Sequence, residues 1–255
     1  MIEHLSSSQM NLYLQCSLKY KFRYIDKIPV PFKPSGLAFG SAIHSTLSWF
    51  HKERKKGNEV TLEDFLRLFD TDWYSQRADA KIRYKSGEDD AKLAFIAKEI
   101  LALYFHQEHN GVADSEIPFV VPLVNPSNGY RLGLNLEGFI DLIEKDDTIV
   151  EFKTSNQTFT QKNVDDNLQL TAYSYAFEML TQIPPRLIKL INFVKTKRPK
   201  IITLETKRSK ADYQRFFFLA SQVLKGIRSQ IFFPRQSFWC KGCEYGDICE
   251  DWQGN

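Results

Sequence analysis

The chain has 255 residues, of which 43% are hydrophobic and 25% charged, and its formal net charge is +3 at pH 7. This apolar content and small net charge exclude disorder as the dominant state, and the length is enough to bury a sizeable core. No apolar run approaches the roughly 20 residues that a membrane-spanning helix needs, and the N-terminal segment lacks the basic and apolar regions of a secretory signal. We therefore expect a cytoplasmic, intracellular protein with no membrane partner.

The first 115 or so residues have the spacing of helices. The first helix is opened by Ser6–Ser8, which precede apolar residues at three- and four-residue intervals. A second is predicted at about residues 40–56, a third opens at Thr61 with Asp64 as a loose capping box, and a fourth covers residues 88–109. Gly57 and Gly111 are the predicted stops of the second and fourth helices.

From Phe119 onwards the pattern changes to short runs rich in β-branched and aromatic residues. Strands are predicted at Phe119–Val124, Tyr130–Leu136, Gly138–Ile143, Thr148–Lys153, Leu187–Val194 and Ile201–Glu205. Helices are predicted at Val164–Thr181 and Lys207–Ile231. The order of helices, strands, helix, strands and helix predicts an α/β or α+β core with a helical N-terminal part packed on it.

Three charged side chains near residue 146 are predicted to converge. Glu151 and Lys153 are two residues apart, so they share one face of a strand. If Lys145–Asp147 form a three-residue loop, antiparallel pairing places Asp141 opposite Glu151. Two carboxylates beside an apolar sheet repel each other unless a cation lies between them, and their oxygens suit Mg²⁺ or Mn²⁺. On this pattern alone, a solvated ion pair on a surface hairpin explains the residues equally well.

The order of several motifs resembles a known nuclease family. Asp141, Glu151 and Lys153 resemble the signature of the PD-(D/E)XK nucleases. The segment Gln169-Leu170-Thr171-Ala172-Tyr173 resembles the Q-x-x-x-Y motif of the RecB-like branch, and Gly40-Ser41-Ala42-Ile43-His44 resembles its G-x-x-x-H element. The opening segment from Leu5 also looks like these proteins, although Ser17 stands where proline is common. The resemblance extends from about Leu5 to Cys249.

This resemblance implies a restriction-endonuclease-like fold, in which a mixed central sheet is flanked by helices. It also implies a metal-dependent DNA exonuclease that acts mainly at single-stranded ends. His44, Asp141 and Glu151 would hold Mg²⁺ or Mn²⁺, with the backbone carbonyl of Phe152 as a further ligand. Lys153 would be the catalytic lysine.

The resemblance assigns Gln169 and Tyr173 to positioning DNA or the active-site strands. DNA would be the main partner, in repair, recombination or CRISPR adaptation, with protein partners from such a complex. The chain would form one nuclease domain over residues 1–255. Its helical part would cover about 1–115, the nuclease core about 116–205, and the last helix with the cysteine cluster about 206–255.

The four cysteines are unevenly placed, with Cys16 near one end and Cys240, Cys243 and Cys249 near the other. Disulfides are not expected without a secretory signal. Four thiols can form a structural metal site that joins the two ends, and zinc is the usual occupant of four-cysteine sites. A triplet with one distant cysteine also suits an iron–sulfur cluster. The arrangement resembles cluster-binding RecB-like nucleases, such as the Cas exonucleases of CRISPR adaptation and AddB, and so implies a 4Fe–4S cluster.

Basic residues are grouped although the net charge is small. The three groups are Lys52, Arg54, Lys55 and Lys56; Lys195, Lys197, Arg198 and Lys200; and Lys207, Arg208 and Lys210. Each group is a candidate contact for DNA phosphates, and a solvated protein face explains each equally well.

Two alternatives to an active nuclease stay open on the sequence. One is a catalytically silent DNA-binding or scaffold subunit with the same fold. The other is a zinc-stapled hydrolase with an unrelated substrate. The joint presence of His44, Asp141, Glu151 and Lys153 argues against the first, since a silent subunit has no need to keep them together.

Overall fold

A computed structural model describes residues 2–254. The helices are α1 (Ser7–Gln15), α2 (Ser17–Tyr20), α3 (Ser35–Lys56), α4 (Leu62–Asp79), α5 (Asp90–Phe105), α6 (Gln161–Asp165), α7 (Leu168–Thr181), α8 (Lys210–Arg228) and α9 (Gly246–Glu250). The strands are β1 (His4–Leu5), β2 (Lys33–Pro34), β3 (Ile82–Arg83), β4 (Val112–Val124), β5 (Arg131–Glu144), β6 (Thr148–Ser155), β7 (Leu187–Val194) and β8 (Lys200–Thr206). The predicted order of helices, strands, helix, strands and helix is present, and the two-residue strands β1–β3 and the short helices α2, α6 and α9 are additions to it.

The described residues divide into two compact units. The first consists of residues 2–31, Phe119–Gly138 and 208–254, and the second consists of Phe32–Pro118 and Phe139–Lys207. Strands β4 and β5 each contribute residues to both units. The expectation of one nuclease domain over the whole chain stays a prediction.

The second unit contains a mixed sheet. The C-terminal half of β5 and strands β6, β7 and β8 pair in that order. The β5–β6 and β7–β8 pairs are antiparallel, whereas β6 and β7 are parallel. A three-residue loop, residues 145–147, joins β5 to β6, and Asp147 has a left-handed φ of 62°. Three-residue hairpin loops commonly end in such a residue, and the predicted loop length is confirmed.

Helices cover both faces of this sheet. Helices α3, α4 and α5 pack with Val150, Phe152 and Phe193 in one apolar core. On the other face, Leu170 of α7 packs with Leu190 of β7. Leu190 and Phe193 are an odd number of residues apart, so strand geometry directs them to opposite faces. The predicted mixed sheet flanked by helices is therefore confirmed in this unit.

Two predicted helix boundaries in the N-terminal half are wrong. Helix α3 begins at Ser35 rather than near Gly40. Pro34 is its N-cap residue, and the N–H that proline lacks has no partner within a helix at this end. Helix α5 is shorter than the predicted helix 88–109. It begins after Asp89, whose side chain accepts a hydrogen bond from the backbone N–H of Lys92, and it ends at Phe105.

Two further predicted boundaries are wrong. The predicted helix Val164–Thr181 is two helices, since Asn167 caps α7 by accepting a hydrogen bond from the Leu170 N–H at 3.0 Å. The strands predicted on either side of Glu137 are one strand, β5. Gly138 lies within it, where an added Cβ would come 2.7 Å from Phe119 Cζ. This glycine therefore allows Phe119 to pack close to the strand.

In the first unit, β1 pairs in parallel with the N-terminal half of β5. Helices α1 and α8 pack closely where Gly226 faces Tyr13, whose hydroxyl donates to the Ile231 carbonyl at 2.8 Å. Helix α8 is also shorter than the predicted Lys207–Ile231, because Ser209 forms a capping box with Asp212. Within residues 2–254, no helix combines the length and apolarity needed to cross a membrane.

Candidate active site

Two carboxylates lie side by side on strands β5 and β6. Leu142 pairs with Val150, so the adjacent Asp141 and Glu151 face each other, and the predicted register is confirmed. Asp141 is 8% exposed and Glu151 is 0% exposed. Asp141 Oδ2 accepts a hydrogen bond from the Phe152 N–H at 2.9 Å. Asp141 is thus held by the backbone of the neighbouring strand.

Glu151 is a fully buried acid with incomplete hydrogen bonding. The Lys153 ammonium forms an ion pair with its Oε1 atom, and the Tyr173 hydroxyl interacts with the same carboxylate. Neither contact is a well-aligned hydrogen bond, and both oxygens lack a partner of good geometry. Burial raises the pKa of Glu151 to about 7, with repulsion from Asp141 as the second cause. A buried acid of this kind favours a nearby cation.

A chain of hydrogen bonds runs from β6 to helix α7. Lys153 Nζ donates to Gln169 Oε1 at 2.6 Å, and Gln169 Nε2 donates to the Tyr173 hydroxyl at 2.6 Å. Gln169 and Tyr173 are four residues apart and so share one face of α7. Burial would lower the pKa of Lys153, but Glu151 and Asp141 hold this pKa above its usual value. Lys153 is therefore a positioned ammonium.

His44 approaches the carboxylates from helix α3. Its Nδ1 atom is 3.4 Å from Asp141 Oδ2. Burial alone would lower the pKa of His44, but the hydrogen bond and charge of Asp141 raise it overall. Burial likewise acts to raise the pKa of Asp141, and His44 outweighs this effect and lowers it. Gly40 lets α3 pass close to β6, since an added Cβ would come 3.3 Å from Thr154 Oγ1.

One acid beside this group was missed by the sequence analysis. Ligand atoms of His44, Glu116 and Asp141 all lie within 4.8 Å of one another. Glu116 is in β4 and has a left-handed φ of 54°. Neither the backbone angle nor the pairing of β4 can be read from its sequence neighbours, and no motif marks the residue.

The four cysteines lie in the first unit, and all have free thiols. They line one cavity of about 670 Å³. Burial raises the pKa of Cys249, and the other three thiols raise it further. Ser17, next to Cys16, accepts a hydrogen bond from the Phe233 N–H at 2.9 Å. The serine found where proline is common therefore anchors the start of α2.

One residue of the three basic groups, Lys195, is buried and so is not available as a contact for DNA phosphates. Lys195 is only 9% exposed, and its Nζ is 3.2 Å from Glu88 Oε1. Lys195 is thus used inside the protein, where it cannot contact a DNA phosphate. Lys55 and Lys56 pair with Asp114 and Glu53, respectively.

A sequence profile of the PD-(D/E)XK nuclease superfamily matches residues 4–250, which include every predicted site residue. The chain belongs to the PD-(D/E)XK nuclease superfamily. It is therefore a nuclease by family, and nucleases of this superfamily bind DNA and use divalent metal ions. No curated protein sequence matches the chain.

One solved structure supports the fold, and two others are more distant. A Eubacterium rectale protein described as "Putative exonuclease" is 14% identical, with a TM-score of 0.58, over 98% of this chain and 88% of the other. A structure named SSO0001 is 16% identical, covers 92% and 94% of the two chains, and has a TM-score of 0.40. LHK-Exo in complex with dAMP is 11% identical, covers 79% and 90%, and has a TM-score of 0.31. At these identities the first likeness concerns the fold alone, and the other two are too weak to specify it.

Proposed function

We propose that this chain is a Mg²⁺- or Mn²⁺-dependent deoxyribonuclease of the RecB-like branch that degrades DNA from single-stranded ends. The observation that carries the proposal is the pair Asp141 and Glu151, in which the buried Glu151 lacks well-aligned hydrogen bonds. Lys153 lies beside this pair in a chain that belongs to a nuclease superfamily. DNA repair, recombination or CRISPR adaptation is the proposed setting.

The residues present suit a divalent cation. Asp141, Glu151 and His44 would hold it, with the Phe152 carbonyl as a further ligand. Carboxylate and carbonyl oxygens are ordinary ligands of Mg²⁺ and Mn²⁺, and both oxygens of the buried Glu151 lack a hydrogen-bond partner of good geometry that would compete with a cation. When bound, such a cation supplies a water of lowered pKa and neutralises charge on a phosphoryl oxygen.

The protein's own residues would then organise the phosphate. The Lys153 ammonium would stabilise the negative charge that develops during hydrolysis, as positioned cations do in phosphoryl transfer. Gln169 would hold Lys153 in place, because its side-chain oxygen accepts from Nζ at 2.6 Å. Tyr173 would in turn hold Gln169 through the second 2.6 Å hydrogen bond. Gln169, Tyr173 and His44 are the residues on which the assignment to the RecB-like branch is based.

We also propose a 4Fe–4S cluster held by Cys16, Cys240, Cys243 and Cys249. The four thiols line one cavity of about 670 Å³. Four cysteine thiolates are the usual ligands of an iron–sulfur cluster, and a triplet with one distant cysteine suits it. The role of the cluster would be to join distant segments of the first unit.

The test of the nuclease proposal compares linear with circular single-stranded DNA in Mn²⁺. Wild type should degrade end-labelled linear DNA and leave the circle intact, and Asp141→Ala should be inactive. Asp146→Ala is the matched control, because this acid of the same hairpin pairs with Arg186 instead. Degradation of the circle would contradict the exonuclease assignment. Equal activity of wild type and Asp141→Ala would contradict the site.

The cluster proposal needs a separate measurement. Anaerobically purified protein should be brown and contain about four iron atoms per chain, with zinc at trace level. A colourless protein with one zinc ion per chain would contradict the cluster and favour a structural zinc ion bound by the four cysteines.

A further inference from the structure

Two neighbouring aromatic rings lie on the surface of the first unit. Phe238 is 82% exposed, the highest value for a large apolar side chain within residues 2–254, and Trp239 is 65% exposed. Their ring centroids are 5.6 Å apart, and the rings meet edge to face at 71°. A single exposed apolar residue needs no explanation, but two adjacent aromatic rings left in water indicate a ligand or a partner.

The backbone holds this aromatic pair in place. Phe238–Cys240 form a short 3₁₀ helix that Ser237 caps. The Ser237 hydroxyl oxygen accepts a hydrogen bond from the Trp239 N–H at 3.3 Å, and the Ser237 carbonyl accepts one from the Cys240 N–H at 3.0 Å. An ordered turn therefore presents the two rings, so that little backbone freedom is lost when a ligand binds.

The chain around the aromatic pair is basic. Residues 213–243 include five basic residues and no acidic one. Two of these, Arg235 and Lys241, flank the pair and are exposed. The next residue along, Glu244, is buried and pairs with Lys19 at 2.7 Å, so its charge is already balanced. Exposed acids follow only in α9 and the residue after it.

Aromatic rings between cations suit an unpaired nucleic-acid strand. Bases of a single strand stack on exposed rings, while nearby cations contact the phosphates. A helix that lies on a lipid surface needs a free apolar face. Helix α8 has none to offer, because its Phe216, Leu224 and Ile227 side chains are buried within the protein. Charge and ring exposure together favour the nucleic-acid strand.

We propose that Phe238 and Trp239 form a stacking platform for unpaired bases of single-stranded DNA, with Arg235 and Lys241 as contacts for its phosphates. The platform belongs to the first unit, whereas the candidate catalytic carboxylates belong to the second. Its residues position the strand and take no part in hydrolysis. The inference rests on the proposed function for the identity of the ligand, DNA.

The test is fluorescence anisotropy of labelled oligothymidylate with the full chain in EDTA, which prevents metal-dependent hydrolysis. Phe238→Ala and Trp239→Ala should each weaken binding about tenfold or more. Phe238→Tyr keeps a ring and should bind as wild type does. Phe95→Ala is the matched control, because this ring of α5 is 65% exposed but lies in the second unit. It should leave the affinity unchanged.

An abasic oligonucleotide of the same length separates stacking from charge. It has the same phosphates but no bases, so wild type should bind it more weakly, and Phe238→Ala should cause no further loss. Lys241→Gln should weaken the binding of both strands equally and reduce the salt dependence by about one phosphate contact.

The integrity of each variant is checked separately. Trp239 lines the cavity of the cysteines, so its variant is compared with wild type in melting temperature and visible absorbance. Phe238 does not line that cavity, and Phe238→Ala therefore reports on DNA binding even if Trp239→Ala is unstable.

Three results would overturn the inference. They are wild-type affinity in folded Phe238→Ala and Trp239→Ala, no binding of the oligonucleotide by wild type, and loss of binding to phosphatidylserine vesicles with unchanged DNA affinity. Hydrolysis in Mn²⁺ is measured apart from binding. If wild type hydrolyses DNA while the alanine variants bind normally, the inference fails and the proposed function stands. If wild type binds through the platform but hydrolyses no DNA, the proposed function fails and the inference stands.

Discussion

Replacing Lys153 by methionine tests the role of the site's ammonium group. Lys153 is the lysine of strand β6, and it forms an ion pair with Glu151. Methionine keeps much of the aliphatic length but removes the ammonium that contacts Glu151 and Gln169. Glu151 would then be left fully buried beside Asp141 without its positive neighbour. We expect the variant to lose both activity and stability, in amounts that can be separated.

The structure sets the size of the two effects. Removing one partner of a buried ion pair costs about 3–5 kcal/mol. The Lys153 side chain is 30% exposed while that of Glu151 is 0% exposed, so solvent screens part of the pair, and we expect about 1–3 kcal/mol. Loss of a positioned group that stabilises developing negative charge lowers kcat about 10²–10³-fold. The activity loss should persist under conditions in which the variant is fully folded.

The assay pairs urea unfolding with release of label from single-stranded DNA in Mn²⁺. Lys189→Met is the matched control, since Lys189 lies on the adjacent strand β7 and its Nζ is 2.8 Å from Glu144 Oε2. Those side chains are 17% and 11% exposed, so the control should lose a similar amount of stability and keep its activity. Near wild-type activity in Lys153→Met, or an equal loss in Lys189→Met, would refute the reasoning.

Three further predictions concern the rest of the chain. Gly226→Ala should lower the free energy of unfolding in urea by about 1–3 kcal/mol, because the added Cβ would come 2.2 Å from Tyr13 Oη. Gly36→Ala should raise it by up to about 1 kcal/mol, because an added Cβ there has nothing within 4 Å. A gain in stability at both positions would contradict the packing of Gly226 against Tyr13. Burial lowers the pKa of His51 from 6.5 to about 3, so the unfolded chain binds this proton more tightly and stability falls as the pH drops below 6.5. The loss at pH 5 should be about 2 kcal/mol, His51→Phe should show a correspondingly flatter stability–pH profile, and an unchanged profile would argue against a neutral buried His51. Cys243→Ser should lose the visible absorbance of the cluster and be destabilised by several kcal/mol; an equally stable, equally coloured variant would contradict the proposed ligand set.

The sequence predicted the part of the site that depends on strand and helix periodicity. A period of two placed Glu151 and Lys153 on one face, and the three-residue loop set Asp141 across from Glu151. A spacing of four placed Gln169 and Tyr173 on one face of α7, where they form the hydrogen-bond chain to Lys153. These are local rules, and they hold because short-range geometry decides them.

What the sequence did not predict depends on contacts between distant segments. A break between two strands was predicted at Glu137, yet β5 continues through this position, and Phe119 packs against the backbone of the next residue, Gly138. Lys195 was grouped with surface basic residues, but Glu88 draws it into the interior. Glu116 reaches the site through a left-handed backbone angle that no local pattern encodes. Each outcome rests on a partner far away in the chain.

The central claim is that the buried carboxylates of β5 and β6 carry out DNA hydrolysis. Its most direct measurement is the Mn²⁺-dependent rate of phosphodiester hydrolysis by Glu151→Gln, with the fold checked by circular dichroism. Glutamine has the shape of glutamate but no charge, so the variant should fold as wild type does and release no nucleotides from linear single-stranded DNA. A folded Glu151→Gln protein that hydrolyses DNA at the wild-type rate would contradict the account.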